Sequence, residues 1–378
     1  MPLAPVDDNG TVLFYEDSGA PNTTEAYNTL VMIHGITFTT GVFGRLLPFA
    51  SQHQVRLIRV NQRDYPPSSL YTASEIEDFT STDKDAQAQG LAKRGAEVAN
   101  LLVHLIDTLK IPPVTIGNGG KAVGGISVLG WSMGAHLPLA LLSNASALPA
   151  EVQQQLQRYL RSAILYDSSM FSVGVPIPPI VFTPERPKGL YWPSFDQSVS
   201  EQERLQQFSS WGASYFTPID DISKVTLETL GERVPVQELP EETFRALNIE
   251  EWKKITTAER FIPDELATFV SLESMARYFV TLAKLDTAIH KDSFHRAVGL
   301  VKSAETPLVW PDCKLVVVWC DMSSVDPVIA AMTVANLLRD EGSNIKRKVE
   351  LARLGGCNHF PHWDEPEKVM SFLAKQLQ

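Results

Sequence analysis

The 378 residues predict an α/β protein with a mostly parallel central sheet flanked by helices and a mainly helical insertion late in the chain. Three observations carry this. Apolar runs of strand length alternate with segments of helical apolar spacing, the pattern left when parallel strands are joined by crossing helices. Several runs are apolar at nearly every position, which suits strands buried on both faces. The alternation also stops after about residue 172 and resumes only at Cys313.

In order, TVLFYEDSG (11–19), NTLVMIHG (28–35) and VRLIRVNQRDYPPSS (55–69) read as strands, the last stopped by a proline-rich turn. Residues 85–110 place Val98, Leu101, Leu102, Leu105 and Leu109 on one helical face. A strand then precedes Ser132, a helix GAHLPLALLSN (134–144) follows it, and RSAILYDSSM (161–170) is another buried strand. Beyond it the chain is proline-rich and aromatic, then helical, as in 273–290. CKLVVVWCD (313–321) restores the strand pattern, followed by a helix near 328–338, the strand KRKVELARL (346–354) and the closing helix PEKVMSFLAKQL (366–377). This divides the chain into a core of residues 1–172 and 301–378 and a cap over 173–300.

With 44% hydrophobic residues the chain can bury a sizeable core. Its net charge of −11 and the lack of a dense Lys/Arg run argue against nucleic acid or an anionic membrane as partner. A small neutral or apolar substrate is expected instead. No apolar run approaches the roughly 18 residues that span a bilayer, and the first residues lack the pattern of a signal peptide. Three cysteines without zinc-ligand spacing suit reduced thiols. Together these point to a cytoplasmic protein, in which the N-x-S/T sequons at Asn22 and Asn144 are chance matches.

The stretch GWSMG (130–134) carries the first chemical signal. A serine between glycines, after a buried strand and before an apolar helix, fits a sharp strand-to-helix turn that exposes the hydroxyl and leaves no room for larger flanking residues. Such a serine needs an imidazole to take its proton. NHFPHWDEPEKV (358–369) offers His359 and His362, and spacing alone leaves both open. A tetrahedral oxyanion also needs two backbone donors, one after the nucleophile and one from an earlier loop. Met133 and Ile36, the latter just past His34-Gly35, are the candidates.

Taken together, His34-Gly35, NQRDYPPSS (61–69), GWSMG and NHFPHWDEPEKV resemble the α/β-hydrolase superfamily, in this chain order and over most of the chain outside about 173–300. The resemblance implies the α/β-hydrolase fold and assigns the base to His359, which precedes the phenylalanine of the family's closing motif. NQRDYPPSS and the length of the insertion are similar to fungal members, with a role in secondary metabolism as the corresponding expectation. At the acid the chain departs from the family pattern: an ungapped match puts Ser323 where many relatives carry aspartate. Asp321, at the end of the same strand, and Asp167, one strand upstream, stay open as the acid. Asp326 is a poorer candidate, expected to cap the helix that follows it.

A serine rather than an aspartate at the elbow disfavours epoxide hydrolysis and dehalogenation by an aspartyl ester. The expected reaction is acyl transfer through Ser132 on a carboxylic ester, thioester or lactone. The alternatives are a cofactor-free lyase, a perhydrolase or a C–C-bond hydrolase with the same triad, and, from another class, a receptor-like binding module. Candidate pocket residues are His34, Trp131, Met170, Phe171, Trp192 and Trp211. No metal-ligand cluster appears, and GNGGKAVGG (117–125) precedes a strand where a dinucleotide fingerprint would follow one, so no metal or cofactor is implied. Nothing in the sequence speaks to oligomeric state.

Overall fold

The computed structural model describes residues 2–22, 26–36, 38–117, 121–196, 198–200, 203, 207–208, 211–237, 285–300 and 308–378. Eight strands make the main sheet: β1 (Leu3–Pro5), β2 (Val12–Asp17), β3 (Asn28–Ile33), β4 (Val55–Val60), β5 (Ile126–Trp131), β6 (Leu160–Tyr166), β7 (Lys314–Cys320) and β8 (Val349–Leu354). Their order is β1-β2-β4-β3-β5-β6-β7-β8. β1 and β2 run antiparallel at one edge, β2 meets β4 antiparallel, and from β4 to β8 every pairing is parallel. The short β1 has no apolar run of its own and forms only by pairing Leu3–Pro5 with Val12–Phe14.

The apolar runs are buried on both faces. Val31, Ile33, Val128, Leu165 and Val317 belong to one core layer, while Leu30, Met32, Leu129, Ile164 and Val318 belong to the other. This two-residue alternation is the pleat itself, with hydrophobic residues on both sides. The long helix of residues Lys84–Leu109 packs Val98, Leu101, Leu102 and Leu105 into the first layer. It opens on Asp83, whose side chain accepts from the Asp85 amide, and ends at Lys110 in the left-handed conformation. On the other face the closing helix, Pro366–Gln376, buries Val369, Met370 and Leu373. Each such side chain contributes roughly 1.5–3 kcal/mol on burial.

Register aligns the strand ends. Ile33 pairs with Gly130, Trp131 with Tyr166, Tyr166 with Val318, and Cys320 with Leu354. The carboxyl ends of all six parallel strands therefore face one edge of the sheet, where open α/β sheets hold their ligands. Residues His34, Ser132, Asp167, Asp321 and the loop carrying His359 all follow directly from those ends.

Within 173–237 the described residues form short 3-10 turns, among them Pro179–Phe182, Lys188–Leu190 and Pro193–Phe195. A two-stranded sheet of Tyr215–Phe216 and Pro235–Gln237 accompanies them. Prolines at 176, 178, 179, 184, 187 and 193 remove backbone donors, so residues 176–195 turn tightly, while Leu227–Gly231 is α-helical. Most of the helix expected over 273–290 lies outside the described residues. Among the described residues no helix is long and apolar enough to cross a membrane.

Candidate active site

Ser132 follows β5 with φ of 54°, the strained geometry expected of a residue on a strand-to-helix elbow. A short 3-10 turn, Ser132–Ala135, leads into a helix over His136–Ser143. The flanking glycines are steric necessities: a Cβ on Gly130 would overlap the Gly134 carbonyl, and one on Gly134 would overlap the His34 carbonyl. The elbow thus packs backbone to backbone against the loop after β3. That loop also comes close on its own account, since a Cβ on Gly35 would lie 2.9 Å from Ser132 Cβ. Met133 is the second residue of the turn, where an amide has no acceptor within the helix.

His34 is fully buried and holds the loop in shape. Its Nδ1 lies 2.7 Å from the Gly35 carbonyl, and Nε2 accepts from the Gln62 amide at 3.2 Å. An Nε2 that accepts leaves the proton on Nδ1, which donates to Gly35. Burial pushes this imidazole down to about 4, so it stays neutral. The Gln62 side chain returns a bond to the His34 carbonyl at 2.5 Å, and Tyr65 packs edge-on against the ring.

On the other side of the elbow, His359 Nδ1 lies 2.6 Å from Asp167 Oδ2. Asp167 immediately follows β6, with φ of 42°. Its amide donates to the Val318 carbonyl at 2.7 Å, and its Oδ1 accepts from the Cys320 amide at 2.9 Å. Ser323 Oγ donates to Oδ2 at 2.6 Å, the same oxygen that meets the imidazole. The loop after Asp167 is tied back to the elbow, since the Ser169 amide donates to the Ser132 carbonyl at 3.3 Å.

Asp321, the other acid left open by the sequence, does something different. Arg353, near the end of β8, donates to its Oδ2 at 2.6 and 3.0 Å, and its Oδ1 accepts from the Gly356 and Cys357 amides. It pins the turn that leads to His359 without meeting the ring. Asp326 departs from its expected capping role too. The helix over Val325–Glu341 has Ser324 at its N-cap position, and Asp326 lies in the first turn. Its Oδ1 instead accepts from Ser169 Oγ at 3.0 Å and the Met170 amide at 2.8 Å. Burial raises its carboxyl to about 6.

His362, the alternative base, is fully buried and packs against Phe43, Trp131 and Tyr166. Burial holds it well below the usual imidazole range. Ser132 and His359 retain 8% and 9% of their surface, whereas His34, Trp131 and Met170 retain 0–1%. Those three expected pocket residues are closed off from solvent in the packed interior. Trp131 shows why: its indole N–H donates to the His359 carbonyl at 3.1 Å, and its ring lies 5.0 Å from the imidazole. Trp192 and Trp211 stack at 5.6 Å, with Phe171 6.2 Å and Phe195 5.5 Å from Trp192, as one aromatic cluster.

Sequence reasoning missed two side chains: Asn358, which fastens the histidine loop, and Arg233, which ties the inserted segment to the turn after β7. Asn358 Nδ2 donates to the Ala213 carbonyl at 2.6 Å and to Asp364 Oδ2 at 3.0 Å, and that carboxylate also accepts from Tyr215 at 2.8 Å. Arg233, buried in the same segment, donates to the Thr217 and Asp321 carbonyls. Desolvation lowers its guanidinium to about 10. An Asn beside His359 was the visible signal for the first; the second had none. Among the described residues no cluster of metal-binding side chains occurs, and all three cysteines are buried and free.

A model of the alpha/beta hydrolase family matches residues 30–372. Among solved structures, the chain is similar to an esterase from Exiguobacterium antarcticum, with 15% identity, a TM-score of 0.52 and coverage of 100% of this chain and 99% of that one. It is also similar to a bromoperoxidase from Bacillus anthracis, with 12% identity, a TM-score of 0.51 and the same coverage. Identities this low speak to the fold alone. No curated protein sequence matches the chain.

Proposed function

Because the chain belongs to the alpha/beta hydrolase family, we propose that it is a serine hydrolase cleaving a carboxylic ester, thioester or lactone of a small, largely apolar molecule. Ser132 Oγ attacks the carbonyl carbon while His359 Nε2 takes the hydroxyl proton. Asp167 holds the imidazole through Nδ1 and stabilises the cation that forms. The Met133 and Ile36 amides receive the developing oxyanion. Collapse expels the leaving group, which takes the proton from His359, and leaves an acyl group on Ser132. Water, deprotonated by the same imidazole, then releases the acid and restores the serine.

The observations that carry this reading are the 2.6 Å contact between His359 Nδ1 and Asp167 Oδ2 and the positive φ of Ser132 at the elbow. It favours Asp167 over Asp321 as the acid and His359 over His362 as the base. The aromatic cluster of Phe171, Trp192, Phe195 and Trp211 in the segment that follows Asp167 suits a substrate with an apolar acyl or alcohol part.

The test is a panel of p-nitrophenyl esters, acyl thioesters and lactones, run on the wild-type protein and Ser132→Ala, with fluorophosphonate labelling of both. Turnover and labelling by the wild type alone are expected. Turnover that survives Ser132→Ala overturns the reading. An unlabelled wild type that binds small ligands without turnover favours the binding-module alternative.

A further inference from the structure

Asp167 Oδ2 accepts two hydrogen bonds of equal length, from His359 Nδ1 and from Ser323 Oγ, both at 2.6 Å. Ser323 has no exposed surface and stands just past β7, adjacent to β6 in the sheet. Its amide donates to the Cys320 carbonyl at 3.2 Å, so a tight turn at the end of β7 fixes where the hydroxyl points. The Cys320 amide at the start of that turn holds the other carboxylate oxygen at 2.9 Å. Two residues of one turn thus grip both oxygens of an acid that belongs to the neighbouring strand.

We propose that Ser323 is a positioning residue for the Asp167–His359 pair, fixing the carboxylate oxygen that faces the imidazole and restraining its pull on the proton; this rests on the serine-hydrolase reading above. A carboxylate oxygen that already accepts from a hydroxyl donor is a weaker acceptor for a second partner. Without that hydroxyl, Oδ2 attracts the protonated imidazole more strongly and is free to rotate. The first effect keeps the base protonated to higher pH. The second loosens the geometry from which it works.

Other ionisable groups act on the pair as well: Tyr166 and Cys320 on the two strands, Arg233 from the inserted segment, Asp326 on the helix after β7, and His362 beyond His359. They are the same in every variant at position 323, so a comparison of alanine with threonine isolates the hydroxyl.

The experiment measures kcat and KM for a short p-nitrophenyl ester across pH in the wild type, Ser323→Ala and Ser323→Thr, with urea unfolding of each. Ser323→Ala is expected to lower kcat about tenfold, as for one lost hydrogen bond to a charged group, with KM unchanged. The acid limb of kcat/KM moves up by about half a unit to one unit. Ser323→Thr restores both. An unmoved limb and plateau in a folded Ser323→Ala overturn the proposal, as does a loss of stability with no change in the limb. Should Ser323→Ala not fold, Ser323→Cys, close in volume and a weak donor, shows the same displacement or overturns the proposal. Asp167→Asn run alongside separates the two levels: full activity in that variant removes the reading beneath the proposal, whereas its loss beside a normal Ser323→Ala removes the proposal alone.

Discussion

His359 and Asp167 meet at 2.6 Å although 192 positions separate them in the chain. The sheet brings them together: Asp167 closes β6, His359 stands in the loop after β8, and only β7 lies between those strands.

The two aspartates that the sequence left open make opposite predictions. Asp167→Asn is expected to lower kcat by about 10³–10⁴-fold, the scale of losing the partner that orients a catalytic imidazole, with little change in the urea midpoint. Asp321→Asn removes the partner of Arg353 and weakens two amide contacts in the turn before His359. It should cost about 1–3 kcal/mol of stability, read by urea unfolding, while kcat falls far less. A larger catalytic loss in Asp321→Asn reverses the assignment.

Ser132→Ala should reduce hydrolysis of short p-nitrophenyl esters by at least about 10³-fold, as loss of a nucleophile does. Fluorophosphonate incorporation, followed by intact-protein mass spectrometry, should disappear with it. Unfolding should change little, since φ of 54° strains alanine and serine alike.

Gly134→Ala places a methyl against the His34 carbonyl and forces the elbow away from the loop after β3. Both surfaces are backbone, so neither can move without shifting a strand end. A loss of about 3 kcal/mol or more in urea unfolding is expected, together with loss of activity. Near-normal values for both would mean that the elbow and loop are less closely packed than described.

Asp326 gives a pH dependence with a definite sign. Its folded carboxyl is raised to about 6 from an ordinary 3.8, so between those values the folded state binds more protons than the unfolded state. Stability from this residue is greatest below about pH 4, falls as pH rises to about 6, and is flat above. A carboxamide in its place would keep an oxygen for Ser169 and Met170 without the buried charge. Asp326→Asn should therefore gain about 2 kcal/mol over the wild type at about pH 7.5 and lose most of that advantage at about pH 4.5, by urea unfolding at both pH values.

The fold was legible because its signals are local. Runs such as Leu30–Ile33 and Leu315–Cys320 are apolar on both faces, and only a covered parallel sheet needs that. The elbow was legible because backbone contact at Gly130 and Gly134 excludes any side chain, and His359 through its place in the closing motif. The acid was not, because Asp167 and Asp321 end adjacent parallel strands and differ only in what they meet. Arg353 distinguishes them by engaging Asp321, and its nearness depends on the β7–β8 pairing rather than on any sequence pattern. The setting of Trp131 was hidden for a similar reason: an aromatic beside Ser132 suggests a pocket wall, and only the fold shows its indole N–H meeting the His359 carbonyl.

The contacts of Asn358 make the inserted segment a structural creditor of the loop carrying His359. Ala213 supplies an acceptor to the residue next to His359, Phe216 and Ile219 donate to the Met322 and Asp321 carbonyls, and Tyr215 holds the carboxylate of Asp364. Excising this segment would withdraw support from the loop carrying His359 and from the turn after β7 at once. Shortening or redesign of this segment should accordingly spare residues 213–219; Trp192 and Phe195 pack against one another, against other rings and against the main core.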